Sequence, residues 1–195
     1  ITHNEHNILT INTLSIKGMD YCYKTGRIFW TDDEKKTINS IKTNGQDQQL
    51  IVSGLNKPSH LSYDYITKKF YFVDNDAEIN VCNDKGDQCG VILRTGLIGI
   101  NSFIVCPSKR LMFWSVWSSS LSTSNGRIER ADMNGQKRKN IIKFNLYWPS
   151  GLTVDPILEN IYWVDTKQEE MYVADFHGNN RHRVLDYSLT HPLSI

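Results

Sequence analysis

The chain has 195 residues, with 22 lysines and arginines against 21 aspartates and glutamates, for a formal net charge of +1. That length suits one domain with a real core, and the balanced charge gives no push toward nucleic acid or a membrane surface. No apolar run is long enough to span a bilayer, no signal-peptide pattern allows targeting to be read, and no Asn-x-Ser/Thr sequon gives a compartment clue.

Taken in chain order, the elements repeat. A lead-in covers residues 1–15, and four units follow over 16–57, 58–99, 100–148 and 149–191, with a stub at 192–195. The first unit carries Phe29-Trp30-Thr31-Asp32 and the second Tyr71-Phe72-Val73-Asp74. The third carries Phe113-Trp114-Ser115, followed by Val116 where the others have Asp, and the fourth carries Tyr162-Trp163-Val164-Asp165. The second aromatic position falls at 30, 72, 114 and 163, so the spacings are 42, 42 and 49. Turn glycines at Gly45, Gly86, Gly135 and Gly178 keep step, as does a position held by Pro58, Ile100, Pro149 and Pro192. The long third period is one local insertion, residues 118–125, rich in Ser and Asn. Self-similarity at a fixed period in this range means a repeat architecture.

Each unit reads as four short strands. In the last, Gly151 to Asp155 predicts the first strand, Asn160 to Asp165 the second and Glu170 to Asp175 the third. The third alternates as a half-buried strand does. The His177-Gly178 turn leads to a fourth strand at Arg181 to Leu185. Asn-Gly between alternating runs is a hairpin signal, because the tight turn needs positive φ. No segment sustains a helical period. The class is all-β, and four antiparallel strands per unit with a recurring aromatic motif describe a β-propeller blade. Four blades make a partial ring.

The aromatic pair has a structural task in such a fold, because large flat rings fill the wedge between neighbouring sheets. The Asp that follows is expected to accept backbone hydrogen bonds at the strand end. An enzyme is not expected: no nucleophile elbow, no His-Glu-x-x-His and no paired carboxylates recur in phase. Cys82 and Cys89 flank the turn of the second unit and are expected to bridge adjacent strands, which implies an oxidising compartment; two free thiols are the alternative. A zinc site is not expected, since no second ligand pair is in phase. Cys22 and Cys106 stand where other units have Asp64 and Asp155, and read as small core residues. The basic runs Lys137-Arg138-Lys139 and Arg181-His182-Arg183 read as solvated edge charges that discourage strand addition. His60 reads as a loop residue.

The repeated signature resembles the YWTD propeller of the low-density-lipoprotein receptor family. The resemblance is carried by the stretch from Trp148 through Asp155, by Asn160 through Lys167, by His191-Pro192-Leu193-Ser194-Ile195 and by Arg127 through Gly135. It covers essentially the whole chain. The cysteine-bearing second unit and Phe113-Trp114-Ser115-Val116-Trp117 are most similar to arthropod vitellogenin receptors. The resemblance implies a six-bladed ring, of which this chain holds the second through fifth blades. It implies a piece of an endocytic lipoprotein or yolk-protein receptor, on the extracellular and endosomal-lumenal side of a single-pass plasma-membrane protein. The implied partners are the cysteine-rich and EGF-like modules that flank the propeller in the same receptor, with lipoprotein or vitellogenin cargo held by the full receptor. Nucleic acid, cofactor and metal are not among them, and contact with the membrane would run only through the parent's transmembrane helix.

The implied role is acid-dependent ligand release and receptor recycling. Histidine suits a switch, because its unperturbed charge change falls between about pH 5 and 8. His191 matches a family histidine implicated in that step; a second family histidine aligns with Glu169, and His177 and His182 are the candidates to substitute for it. The alternative reading is a YWTD propeller of a signalling co-receptor, a matrix protein or a receptor kinase ectodomain, acting as a protein-binding module.

Overall fold

The computed structural model of the chain describes residues 15–94, 99–117, 126–185 and 189–194. The lead-in over 1–14, the insertion at 118–125 and Ile195 lie outside the described residues. Four antiparallel sheets of four strands follow one another along the chain. The first is β1 (Ile16–Cys22), β2 (Arg27–Asp32), β3 (Thr37–Lys42) and β4 (Gln49–Val52), and the second is β5 (Leu61–Asp64), β6 (Lys69–Asp74), β7 (Glu78–Asn83) and β8 (Cys89–Arg94). The third is β9 (Ile100–Cys106), β10 (Leu111–Val116), β11 (Arg127–Asp132) and β12 (Lys139–Ile142); the fourth is β13 (Pro149–Asp155), β14 (Asn160–Asp165), β15 (Glu170–Asp175) and β16 (His182–Arg183). The first strands of successive sheets pack on one another, β1 on β5, β5 on β9 and β9 on β13. The sheets are therefore blades arranged about their first strands, and the expected all-β partial propeller is what forms.

Three apolar cores lie between consecutive blades, and the signature motif explains why. Neighbouring residues of a strand point to opposite faces of the sheet. The first ring of each motif therefore faces the following blade and the second faces the preceding one. Phe29 shares a core with Phe72, Tyr71 with Trp114, and Phe113 with Trp163. The rings touch directly, with Phe29 stacked on Tyr63 at 4.7 Å and Phe113 against Phe176 at 4.8 Å. Trp30, Phe72, Trp114 and Trp163 are all at most 2% exposed. Each such ring contributes about 1.5–3 kcal/mol through burial.

The turn after each first strand uses one of two devices. Asp64 Oδ1 accepts the N–H groups of Ile66 and Thr67, and Asp155 Oδ1 those of Ile157 and Leu158. Where cysteine replaces that Asp, the backbone closes the turn instead. The Thr25 N–H bonds the Cys22 carbonyl, and a short 3₁₀ turn (Pro107–Lys109) ends with Arg110 at φ 56°. Both thiols are buried and outside any disulfide, as small core residues, with Cys106 Sγ 3.8 Å from Ser108 Oγ.

The outer turns differ from a two-residue Asn-Gly hairpin. In Asp132 to Gln136, the Gly135 N–H bonds the Asp132 carbonyl, and the Asp132 N–H bonds the Gln136 carbonyl. Only the glycine has positive φ, so this is a three-residue connection that ends in a left-handed residue. Each later glycine also lies against the fourth strand of the blade before it. A Cβ would stand 1.9 Å from the Ile51 carbonyl oxygen at Gly86, 2.8 Å from that of Ile92 at Gly135, and 2.0 Å from that of Ile141 at Gly178. The fourth strand of the last blade is shorter than the expected Arg181–Leu185 run, because only His182 and Arg183 pair with β15.

Candidate functional site

The signature aspartates fasten the connections between blades. Asp74 accepts from the N–H groups of Asn56, Lys57 and Asn75. Asp165, fully buried, accepts from those of Tyr147, Trp148, Lys167 and Gln168. One carboxylate thus holds both the entry to its own blade and the turn into that blade's third strand. Asp32 accepts from Glu34 and Lys35. Thr31 acts across blades as well: its hydroxyl takes the Gly18 N–H at 2.8 Å and donates to the Ser59 carbonyl.

This fastening builds an aromatic and cationic surface at the Asp165 end of blade 4. Trp117 and Trp148 meet edge to face at 5.5 Å. The Lys167 ammonium lies 4.8 Å from the Tyr147 ring centroid and 6.0 Å from that of Trp148. Thr166 Oγ1 donates to the Pro192 carbonyl at 2.6 Å, which brings the exposed His191 to the same end of the blade. Half-buried indoles beside a cation are suited to binding a protein surface. Among the described residues no three His, Cys, Asp or Glu side chains converge as metal ligands would.

The three candidate histidines are all exposed and are not brought together. His177 sits in the outer turn at the Asp175 end of β15, where its N–H caps Asp175 Oδ1. His191 lies at the other end, where the Leu189 N–H bonds the Glu169 carbonyl. His182 is on the edge strand, its Nδ1 2.8 Å from the Asn180 carbonyl oxygen. Of the three, His191 lies at the same end of the blade as the aromatic surface, and His182 lines a cleft with Tyr147.

His60 precedes β5 outside the strand, as expected of a loop residue, but it is tied down there. Ser59 and His60 exchange backbone bonds with Val73, which extends the edge of β5. Its half-buried imidazole hydrogen-bonds the backbone of Ile100 in the next blade, and desolvation holds its pKa below the ordinary 6.5. It belongs to a line of polar contacts between first strands. Asp20 accepts the Tyr63 N–H at 2.7 Å, Ser62 Oγ accepts that of Val105 at 3.2 Å, and Ser102 Oγ accepts that of Leu152 at 3.1 Å. Burial raises the Asp20 carboxyl against the backbone hydrogen bonds that lower it. The spacing of the first strands was the available signal for His60, since it takes the repeat position of Gly18 and Ser102.

Cys82 and Cys89 are bonded across directly paired positions of β7 and β8. In the basic runs Lys137, Lys139, His182 and Arg183 are exposed, as expected of edge charges, but Arg138 and Arg181 are not. Arg138 pairs with Glu129, whose carboxylate is 2% exposed, and lies 5.7 Å from the Trp114 ring centroid. Arg181 lies 4.4 Å from the Tyr172 ring centroid and 5.4 Å from that of Trp163, and reaches back to the Phe144 and Asn145 carbonyls of the preceding blade. The physical reason is that both arginines sit just past a turn that is pressed onto the neighbouring blade, so their long side chains fold over the ring below rather than into water.

Comparison with known proteins agrees with this architecture. The profile described as low-density lipoprotein receptor repeat class B matches residues 110–156. The chain is 33% identical over 183 residues to the vitellogenin receptor Yl of Drosophila melanogaster, covering 92% of the chain and 9% of that protein. It is 29% identical over 204 residues to the vitellogenin receptor of Solenopsis invicta, covering all of the chain and 11% of that protein. It therefore spans about a tenth of either receptor. A chain in the crystal structure of a nidogen/laminin complex superposes with a TM-score of 0.81 at 23% identity, covering 92% of this chain and 67% of that one, a likeness of fold alone.

Proposed function

Because the chain is a YWTD-type β-propeller module built of low-density-lipoprotein-receptor class B repeats and related to arthropod vitellogenin receptors, we propose that it is an extracellular propeller segment of an endocytic lipoprotein or yolk-protein receptor. In that setting it contributes to acid-dependent ligand release and to receptor recycling. It binds protein and has no catalytic role. The observation that carries the reading is the similarity to two vitellogenin receptors along nearly the whole chain. The partners of the module are then the cysteine-rich and EGF-like modules of the same receptor, and cargo is held by the whole receptor.

The surface of Trp117, Trp148 and Lys167, at the same end of the blade as His191, supports a docking role. An acidic group of a flanking module, brought against a charged His191, would favour the closed receptor at endosomal pH and displace cargo. The test is cargo release from the full receptor carrying His191→Ala. Release at endosomal pH is expected to slow, with capture at neutral pH unchanged. Unchanged release would remove His191 from the mechanism.

A further inference from the structure

The turn between the first and second strands has one geometry in all four blades, and its tips form a face. The last residue of each turn is left-handed: Gly26 at φ 60°, Lys68 at φ 55°, Arg110 at φ 56° and Glu159 at φ 53°. The first strands run in step, because Asp20 meets Tyr63, Ser62 meets Val105 and Ser102 meets Leu152 across successive blades. The four turns therefore emerge at one end of the partial ring. Neighbouring turns touch there. The Tyr23 and Tyr65 ring centroids are 6.3 Å apart, the Lys24 ammonium lies 5.1 Å from that of Tyr65, and Lys109 pairs with Glu159. Tyr23, Ile66, Ile157 and Leu158 are large hydrophobic residues left exposed, Ile157 to 88%. Residues 23–26, 65–69, 107–110 and 156–159 hold five cations, Lys24, Lys68, Lys69, Lys109 and Arg110, and one acid, Glu159. The outer turns at this end, residues 43–46, 84–87, 133–137 and 177–180, add two lysines and two aspartates and leave the balance unchanged. The formal net charge of +1 over the whole chain conceals this local excess.

The backbone of the apolar tips is prepared for a dry setting. Asp155 Oδ1 takes the N–H groups of Ile157 and Leu158, and Asp64 Oδ1 takes those of Ile66 and Thr67. Seating these tips in an apolar layer therefore strands none of those amides. Among the described residues no carboxylate lies within ion-pair distance of Lys24, Lys68, Lys69 or Arg110. We propose that this end of the propeller docks on the surface of a phospholipid layer that carries anionic headgroups. Ile66, Ile157 and Leu158 enter the boundary of the acyl chains. The Tyr23 ring lies at headgroup level, where an apolar ring with a polar tip is favoured, and Lys68, Lys69 and Arg110 meet the headgroup charge. A soluble polyanion would engage the same cations and leave Ile157 and Leu158 in water. Apolar tips and cations on one face fit a layer that offers both partners. Lys167 and His191 lie at the opposite end of the blades, so the docking stands whether or not the release mechanism holds.

The experiment is co-sedimentation of the full chain at neutral pH with vesicles of phosphatidylcholine alone and of phosphatidylcholine mixed with phosphatidylserine. Saturable binding to the mixed vesicles is expected, with affinity at least tenfold weaker for phosphatidylcholine alone. Ile157→Ser combined with Leu158→Ser keeps every cation and is expected to weaken binding at least tenfold. Lys68→Glu combined with Arg110→Glu keeps the apolar tips and is expected to abolish it. All four residues are exposed, so both variants should keep the native far-UV spectrum and urea midpoint. Phe144→Ser removes another exposed ring, in the connection after β12 at the other end of blade 3, and should leave binding unchanged. No binding to the mixed vesicles, affinity unchanged in the Ile157 and Leu158 double variant, or an equal loss in Phe144→Ser would overturn the proposal. Retention on immobilised heparin without vesicle binding would assign the cations to a soluble polyanion and would overturn it as well.

Discussion

Gly86→Ala isolates the contact between one blade's outer turn and its neighbour. Gly86 has φ +75° and Gly54 has φ +74°, so an alanine at either carries the same left-handed penalty of about 1–2 kcal/mol, offset by about 0.4–1 kcal/mol from the stiffer unfolded chain. The surroundings differ. Around Gly54 no described atom lies within 4 Å of the added methyl. At Gly86 the methyl would fall 1.9 Å from the Ile51 carbonyl oxygen, 2.7 Å from the Ile51 carbonyl carbon and 3.1 Å from Val52 Cγ2. Two of these atoms are backbone, so no rotamer change relieves the clash, and β4 must move off the turn. Overpacking of that kind costs about 1–3 kcal/mol. We therefore expect Gly54→Ala to cost about 1 kcal/mol and Gly86→Ala about 2–4 kcal/mol. In a domain of this size the difference is a fall of roughly 2–4 °C in Tm for each kcal/mol. Urea unfolding followed by tryptophan fluorescence, on both variants under oxidising conditions, measures the difference directly. Equal stability within about 0.5 kcal/mol would refute the claim that the turn glycine is required by the preceding blade rather than by its own φ.

The other perturbations follow from named contacts. Cys89→Ser opens a loop closed over a sequence separation of 7 and is expected to cost about 2–3 kcal/mol; peptide mapping of oxidised protein should recover the Cys82–Cys89 pair, with Cys22 and Cys106 alkylated only after unfolding. Glu129→Gln leaves Arg127 and Arg138 without their shared carboxylate. Because both arginines are about a quarter exposed, the expected loss is on the order of 2–3 kcal/mol, below that for a fully buried pair, and a fall under 0.5 kcal/mol in urea unfolding would contradict the pairing. His60 is held below its ordinary 6.5 by desolvation. Its contribution is therefore complete above that value and is lost as pH falls from 6.5 through the lower folded-state value. Thermal unfolding across this window should show a decline that His60→Gln flattens, and an identical profile in the variant would exclude His60 as its source.

Much of this molecule is local, and the local part was legible. A blade is a run of short hairpins, so its strands depend on alternation, on turn residues and on the period of the repeat, all of which stand in the order of the amino acids. Burial of Trp30, Phe72, Trp114 and Trp163 follows from the same period, because a ring at one repeated strand position meets the same wedge each time. The Cys82–Cys89 bond joins residues directly paired across one hairpin. The histidines were legible only as residue types, and the tertiary structure decided that His191 lies at the Thr166 end of blade 4 while His177 lies at the far end of β15.

What the blades do to one another had no local signature. Arg181 meets carbonyls 36 and 37 residues earlier, and Asp20 caps a backbone N–H 43 residues later. Arg138 and Arg181 carry the same surroundings in sequence, basic residues past an outer turn, and so read as solvent-facing. Their direction is set by a rigid neighbour that presses the turn inward and leaves the guanidinium only the aromatic face below. The same reasoning places His60 against Ile100 and each turn glycine against a carbonyl of the blade before it. Period and alternation determine the blade by themselves, whereas the angle at which blades wedge together depends on side chains far apart in the chain, and that angle decides which charges are buried and which cleft remains open.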